Sequence, residues 1–333
     1  MGSPLDLARA WVEAGTVPGV AAVVVDRSGV LDEAYAGRIT AEGDAIGADT
    51  RFALASLTKP LTAAACLCAV EEELLDLDGE VRDGFTLRHL LSHCSGLPAE
   101  ADDLDARPLE PPGSYRRYSN AGYALAARLV EARAQMPFRE YLRSSVLDPL
   151  GMDASLGLEP GDAGRAAVVR QPGIGQDGQQ LFNSPGFRTA ALAESGGFAT
   201  APGYAAFLTC LLARGRARGG ALLAPETVDE MLETQFGEPP GGVEAVALWD
   251  ACPWGLGLDV RGTREPHWTG DALTPTANTH FGSSGTLAWI DRERGLGLVA
   301  LASRGSYSGW WSAPGGWADL TAAVLERFSP ATR

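Results

Sequence analysis

The chain has 333 residues, 45% of them hydrophobic, and a formal net charge of −15 at pH 7. This length and apolar content suffice to bury a large core, as one domain or as two lobes that share an interface. The negative charge argues against nucleic acid and anionic membrane surfaces as partners, because binding to phosphates requires clustered lysine and arginine.

Targeting signals and disulfides are not expected. The longest apolar runs, residues 17–25 and 61–70, are about ten residues long, whereas a membrane helix needs roughly twenty. The first residues lack the basic and apolar regions of a secretory signal, so we expect a cytoplasmic protein. The cysteines are odd in number and have no C-x-x-C spacing, which predicts reduced, mostly buried thiols: Cys66, Cys68, Cys94, Cys210 and Cys252.

Both ends of the chain predict strands. Residues 20–25 and 30–36 are β-rich runs that follow a short N-terminal helix. The pattern recurs at residues 286–290 and 296–302, before an amphipathic helix over residues 317–328. We predict that strands from the two termini form one antiparallel sheet.

The middle of the chain predicts helices instead, which indicates a mostly helical lobe. The predicted helices lie at residues 57–73, 86–93, 121–134, 138–146, 204–214 and 225–234. Stretches rich in proline and glycine predict surface loops at residues 105–114, 157–186 and 238–242.

The basic amino acids single out one residue. Of the 27 basic residues, 26 are arginine, and Lys59 is the only lysine. A GC-rich genome would explain the arginine bias, but it leaves the exception unexplained. A buried amine can lose its proton near neutral pH, whereas a guanidinium cannot, so Lys59 is a candidate base.

Ser56 stands three residues before Lys59, where a strand-like segment over residues 51–54 meets the predicted helix. Residues three apart share a helix face, so the hydroxyl and the amine can meet. A helix N-terminus also offers free backbone donors to a developing oxyanion. The alternative is a capping serine beside a solvated lysine.

Tyr118 and Asn120 lie two apart just before a predicted helix, so both can face one cleft. The alternative is a helix entry with an aromatic staple and Asn120 as N-cap.

His280, Phe281 and Gly282 lead through Ser283 into an apolar strand, and small residues there let a backbone N–H approach a substrate carbonyl. By itself this segment is only a strand start with a structural histidine.

Metal binding is not expected. His89 and His93 stand four apart, as zinc ligands on a helix can, but the glutamate of H-E-x-x-H is missing.

In the order S-x-x-K, Y-x-N and H-x-G, these segments resemble the three motifs of the serine β-lactamase and penicillin-binding-protein superfamily. The resemblance is strongest to the branch of class C β-lactamases, D,D-carboxypeptidases and family VIII carboxylesterases. It extends over roughly residues 15–330, through segments at residues 52–59, 89–98, 148–152, 195–197 and 286–291.

The resemblance implies an α+β fold of the β-lactamase/transpeptidase type, an antiparallel sheet flanked by helices with an inserted, mostly helical lobe. Residues 1–55 and 188–333 would form the sheet lobe and residues 56–187 the helical lobe, with the active site between them. The His89 and His93 pair would be scaffold.

The resemblance also assigns roles. Ser56 would be the nucleophile, and its backbone N–H with that of Ser283 would form the oxyanion hole. Lys59 and Tyr118 would share the proton removed from Ser56. Asn120 would orient the substrate or Lys59, and His280, Phe281 and Gly282 would contact substrate. No cofactor or metal is implied, and the partner is a small ester, amide or lactam.

The third motif departs from the Lys-Thr-Gly of β-lactamases. Replacement by His280 and Phe281 removes a cation and a hydroxyl that hold the carboxylate of penicillins. The leading hypothesis is therefore a carboxylic ester hydrolase. Alternatives are a β-lactamase or D,D-peptidase or D-amino-acid amidase, an acyltransferase of secondary metabolism, and a non-catalytic binding or sensor protein.

Seven of the eight tryptophans lie from Trp249 onward, and Trp254 or the group of Tyr307, Trp310 and Trp311 is a candidate wall of an acyl pocket.

Overall fold

The computed structural model describes residues 2–100, 104–170, 181–217, 219–244 and 246–329, and each predicted helix has a counterpart at a similar position. The helices are α1 (Asp6–Glu13), α2 (Thr58–Glu71), α3 (Leu87–Leu91), α4 (Asn120–Ala134), α5 (Phe138–Leu142), α6 (Asp148–Leu150), α7 (Pro185–Thr189), α8 (Ala201–Leu212), α9 (Pro225–Leu232) and α10 (Trp317–Phe328). A π-helical turn, Arg143–Leu147, joins α5 to α6.

The strands include both predicted terminal pairs. They are β1 (Gly19–Asp26), β2 (Gly29–Gly37), β3 (Phe52–Ala53), β4 (Glu80–Arg82), β5 (Phe85–Thr86), β6 (Arg116–Arg117), β7 (Ala154–Leu156), β8 (Gly197–Ala199), β9 (Arg216–Ala217), β10 (Gly220–Ala221), β11 (Gly241–Val243), β12 (Ala247–Trp249), β13 (Asp259–Val260), β14 (Asn278–Gly282), β15 (Thr286–Asp291) and β16 (Leu296–Ala302).

The main sheet has six strands in the order β13-β14-β15-β16-β1-β2, and every neighbouring pair is antiparallel. Its centre joins the two ends of the chain. Val299 of β16 pairs with Val23 of β1 on one side and with Ala288 of β15 on the other. The prediction of one antiparallel sheet from both termini is confirmed.

Strand β1 is apolar almost throughout because both faces of the sheet are covered. Ala21, Val23 and Val25 belong to the core cluster that includes residues of α2 and α8. The alternate residues belong to a second cluster, which includes Trp11 of α1 and Trp317 of α10. Successive side chains of a strand point to opposite faces, so one strand contributes to both cores.

Two short sheets lie beside Ser56 and Tyr118. One has the order β3-β8-β7, and the other joins β12 and β11 to β6, directly before Tyr118. The prediction of a loop over residues 238–242 is wrong at its end, where β11 begins. Gly241 and Gly242 have φ angles of 141° and 149°, which glycine adopts readily, and these angles let β11 pass close to Arg116.

The long predicted loop over residues 157–186 also contains structure. It has a 3-10 segment, Pro160–Arg165, and ends in α7, whose N-cap Ser184 accepts a hydrogen bond from the Phe187 amide. Residues 171–180 of this loop lie outside the described residues.

All five cysteines are free and buried, as predicted. Within the described ranges, no helix has the length and apolar character needed to cross a membrane.

Candidate active site

Residues 53–57, the nucleophile segment, hold the predicted nucleophile Ser56 and form a strained turn from β3 into α2. Ala55 has a φ of +47°, unusual for a residue with a Cβ, and such strain costs on the order of 1–3 kcal/mol. Ser56 follows in a 3-10 turn, Ala55–Leu57, and is half-buried among buried neighbours. The turn holds Ser56 at an accessible point of an otherwise buried segment.

Hydrogen bonds from α2 and β8 hold this turn. The Thr58 hydroxyl donates to the Ala55 carbonyl at 2.7 Å and accepts from the Gly197 amide at 2.9 Å. The Leu54 amide donates to the Gly197 carbonyl at 2.8 Å. A Cβ on Gly197 would lie 2.7 Å from the Thr58 hydroxyl, so the close approach of β8 requires glycine.

Lys59 lies directly below Ser56 and is fully buried. Its Nζ donates to Ser56 Oγ at 3.2 Å, to Asn120 Oδ1 at 2.7 Å and to the Glu194 carbonyl at 2.9 Å. Burial lowers the pKa of Lys59 to about 7, although the charges of Glu194 and Glu100 oppose this shift. The amine can therefore lose its proton near neutral pH.

Tyr118 lies against the same amine, with Lys59 Nζ 4.7 Å from the centre of its ring. Burial raises the pKa of Tyr118, while its side-chain hydrogen bond with Ser56 acts in the opposite direction. The phenol is therefore protonated at neutral pH. The structure thus brings Ser56, Lys59, Tyr118 and Asn120 together, as their order in the sequence predicted.

The helix entry at Asn120 differs from one interpretation of the sequence. Ser119, not Asn120, is the N-cap of α4, and its hydroxyl accepts from the Gly122 amide at 3.0 Å. Asn120 is the first helical residue, so its side chain is free to accept from Lys59, while its Nδ2 donates to Glu100 at 3.5 Å.

The third motif contacts the nucleophile segment through backbone oxygens. The Ser284 hydroxyl donates to the Ala53 carbonyl at 2.6 Å, and the Thr286 hydroxyl donates to the Leu54 carbonyl at 3.0 Å. A Cβ on Gly282 would overlap the Leu54 carbonyl oxygen, so only glycine allows this approach. The contact brings the end of β14, followed by Ser283, beside Ser56.

His280 and Phe281 point to different surroundings. His280 is 2% exposed and packs against the rings of Tyr118 and Trp254, and burial lowers its pKa to about 3. Phe281 is partly exposed and packs against Trp268 and Trp311. Direct contact of either residue, or of Gly282, with substrate stays a prediction.

The aromatic residues suggested as pocket walls are unevenly exposed. Trp254 is 1% exposed, and Trp310 is buried against Trp11 and Trp317, so both are core residues. Tyr307 is 63% exposed and interacts electrostatically with Tyr118, so it lies near the site.

Glu194 was not identified from the sequence. Its backbone carbonyl accepts a hydrogen bond from Lys59, the residue is 7% exposed, and burial raises the pKa of its carboxyl. The adjoining residues 195–197 are one of the segments that carry the family resemblance, and they are the available signal. A backbone acceptor leaves no trace in residue type, so this role could not be read from sequence.

The sequence pattern of the Beta-lactamase family matches residues 6–309. The chain therefore belongs to the Beta-lactamase family, whose members are serine hydrolases with the β-lactamase/transpeptidase-like α+β fold. Both the predicted family resemblance and the predicted fold class are confirmed.

Relatives within the family carry different names. Penicillin-binding protein 4* of Bacillus subtilis is 30% identical over 132 residues, which are 31% of this chain and 29% of that protein. The chain spans less than half the length of the first penicillin-binding proteins that it matches. Lovastatin esterase of Penicillium rubens is 26% identical over 370 residues, covering 86% of this chain and 89% of that protein. The crystal structure of a beta-lactamase from Mycobacterium bovis matches with a TM-score of 0.76 at 30% identity, covering 98% of this chain and 100% of that one.

Proposed function

We propose that this chain is a carboxylic ester hydrolase that acts through a covalent acyl-enzyme on Ser56. The observation that carries the proposal is the buried amine of Lys59, 3.2 Å from the Ser56 hydroxyl, with a pKa near neutrality. An amine in this position can accept the hydroxyl proton as the serine attacks.

In the proposed reaction, Ser56 Oγ attacks the ester carbonyl, and its proton passes to Lys59. Because the Tyr118 phenol is protonated at neutral pH, Lys59 is the base and Tyr118 donates to the leaving alkoxide, after which Lys59 returns a proton to Tyr118. The backbone N–H groups of Ser56 and Ser283 bind the oxyanion. A water molecule then attacks the acyl-enzyme by the reverse sequence of proton transfers.

The preference for esters rests on the third motif. Phe281 supplies neither a cation nor a hydroxyl for a substrate carboxylate. Neighbouring His280 stays neutral because burial lowers its pKa to about 3. The similarity to lovastatin esterase over 86% of this chain supports the same choice.

A β-lactamase is the second candidate. It is favoured by the 30% identity with the mycobacterial beta-lactamase over nearly the whole of both chains. Acyl transfer and peptide hydrolysis remain alternatives on the same acyl-enzyme.

The test combines a fluorophosphonate probe, a p-nitrophenyl ester and nitrocefin, with Ser56→Ala as the matched control. We expect the probe to label Ser56 and the ester to turn over faster than nitrocefin. No labelling of Ser56 would refute the hydrolase itself, and fast nitrocefin turnover with negligible ester turnover would establish the second candidate.

A further inference from the structure

His93 lies behind Tyr118 in an unusual conformation. It follows α3 with a φ of +59°, is 1% exposed, and packs its ring against that of Tyr118, with the centroids 4.3 Å apart and the ring planes tilted by 32°. Its Nδ1 accepts a hydrogen bond from the Ser119 amide at 3.0 Å. We propose that His93 is a positioning residue, which holds the segment from Tyr118 to Asn120 against Lys59.

The anchored amide lies between two residues of the site. The flanking amides are fixed to other parts of the chain, Tyr118 N to the Gly242 carbonyl at 3.3 Å and Asn120 N to the Ala99 carbonyl at 2.6 Å. Ser119 itself is 1% exposed, so its amide has no access to bulk water. Loss of the His93 acceptor would leave a buried donor unpaired and free the middle of the segment.

The ring of His93 limits the position of the phenol. Tyr118 contacts the His93 ring and has the Lys59 amine 4.7 Å from its ring centre. Trp254 meets the His93 ring at 5.2 Å and 82°, which confines it from another direction. A shift of His93 would therefore move the phenol relative to both Ser56 and Lys59.

The choice of histidine is not explained by packing. Because Nδ1 accepts from an amide, the ring proton is on Nε2, and this nitrogen is buried with no hydrogen-bond partner among the described residues. A phenylalanine would fill the same space without that unpaired donor. Burial, Lys59, His280 and Arg116 all lower the pKa of His93, so it stays neutral and Nδ1 remains an acceptor.

The test separates the acceptor from the ring. In H93N the Oδ1 atom replaces Nδ1 as acceptor, whereas H93F keeps an aromatic ring and removes the acceptor. His89 is the matched control. Its Nδ1 accepts a hydrogen bond from the Thr86 amide at 3.2 Å, and its ring stacks on that of Phe236 with the centroids 4.0 Å apart. Neither Thr86 nor Phe236 is a residue of the site. H89N and H89F are made in parallel.

We expect H93F to lower kcat by about 10- to 100-fold with KM changed less than about twofold, because a displacement of roughly 1 Å in a catalytic group has effects of this size. H93N should recover kcat to within about fivefold of the parent, and the His89 variants should keep the parent kcat. Thermal melting establishes that each variant is folded.

A folded H93F with the parent kcat would overturn the proposal, as would a folded H93N no more active than H93F. The inference rests on the proposed ester hydrolase, so the rate of fluorophosphonate labelling of Ser56 is measured as well. Labelling does not require an ester substrate. If the parent labels but turns over no ester, the proposed substrate class fails, while slower labelling of H93F than of the parent still supports His93 as a positioning residue.

Discussion

Lys59 Nζ and Asn120 Oδ1 lie 2.7 Å apart, although the two residues are separated by 61 positions in the chain. This hydrogen bond joins the first motif to the second and directs the amine toward Ser56. It also uses one of the three donor sites of a protonated lysine. The geometry of the proposed active site thus depends on the contact of α2 with α4.

Replacement of Lys59 by arginine should abolish base catalysis. A guanidinium cannot lose its proton in this pH range, so we expect kcat/KM for a p-nitrophenyl ester to fall by roughly 10²- to 10⁴-fold in K59R. Circular dichroism checks the fold, and Ser56→Ala gives the baseline. An arginine variant with near-parental activity would contradict the role of the amine.

The pH dependence of kcat/KM should have an acidic limb. The base must be unprotonated, and the pKa of Lys59 is about 7, so activity should fall tenfold per pH unit below that value. The negative charge of Glu194 raises the pKa of Lys59, so E194Q should move the limb to lower pH. A limb that moves to higher pH in E194Q would show that another group titrates.

Gly282 should tolerate no side chain. In G282A the added Cβ meets the Leu54 carbonyl oxygen, so β14 must move away from the nucleophile segment. We expect a loss of stability of about 1–3 kcal/mol together with a loss of activity. Gly186 is the control, because a Cβ there meets nothing within 4 Å. Denaturant unfolding and ester turnover measure both effects, and equal behaviour of G282A and G186A would refute the steric argument.

Arg116 should be a major contributor to stability. It is 1% exposed and donates to the backbone carbonyls of Ser92, Gln235 and Cys252, which come from three separate segments. Its replacement in R116M leaves buried carbonyls unpaired, at about 1–3 kcal/mol each. We expect the free energy of unfolding, measured in urea, to fall by at least the cost of one such unpaired carbonyl.

The control for Arg116 is R128M. The Arg128 side chain is 70% exposed and its ion pair with Glu131 is 3.6 Å long, so this change should stay within about 0.5 kcal/mol of the parent. If R116M were as stable as R128M, the carbonyl contacts of Arg116 would not contribute to stability.

Phe281 should influence the choice between ester and lactam. F281T introduces the hydroxyl that the third motif lacks, and we expect the ratio of nitrocefin to ester turnover to rise. The change also removes a ring that packs on Trp268 and Trp311, so a lower melting temperature is expected as well. The ratio is independent of the amount of folded enzyme, and an unchanged ratio would count against this role.

Much of the fold was predictable because it depends on local patterns. The alternation and turn residues of β1, β2, β15 and β16 appear within short windows, and the final helix was predicted with its observed bounds, Trp317–Phe328. Strand β11 was not predicted because its glycines, which adopt positive φ angles in the strand, are typical of loops in a local sequence pattern.

Of the site, the sequence alone determined the pairing of Ser56 with Lys59, because a separation of three residues in a helical turn sets their distance locally. It also singled out Lys59 by composition. Only the tertiary structure decided that the amine is fully buried, that it binds Asn120 and the Glu194 carbonyl, and that His93 holds Ser119. Burial and contacts between distant segments depend on how α2, α4 and β14 pack together, and the pKa of Lys59 follows from that packing.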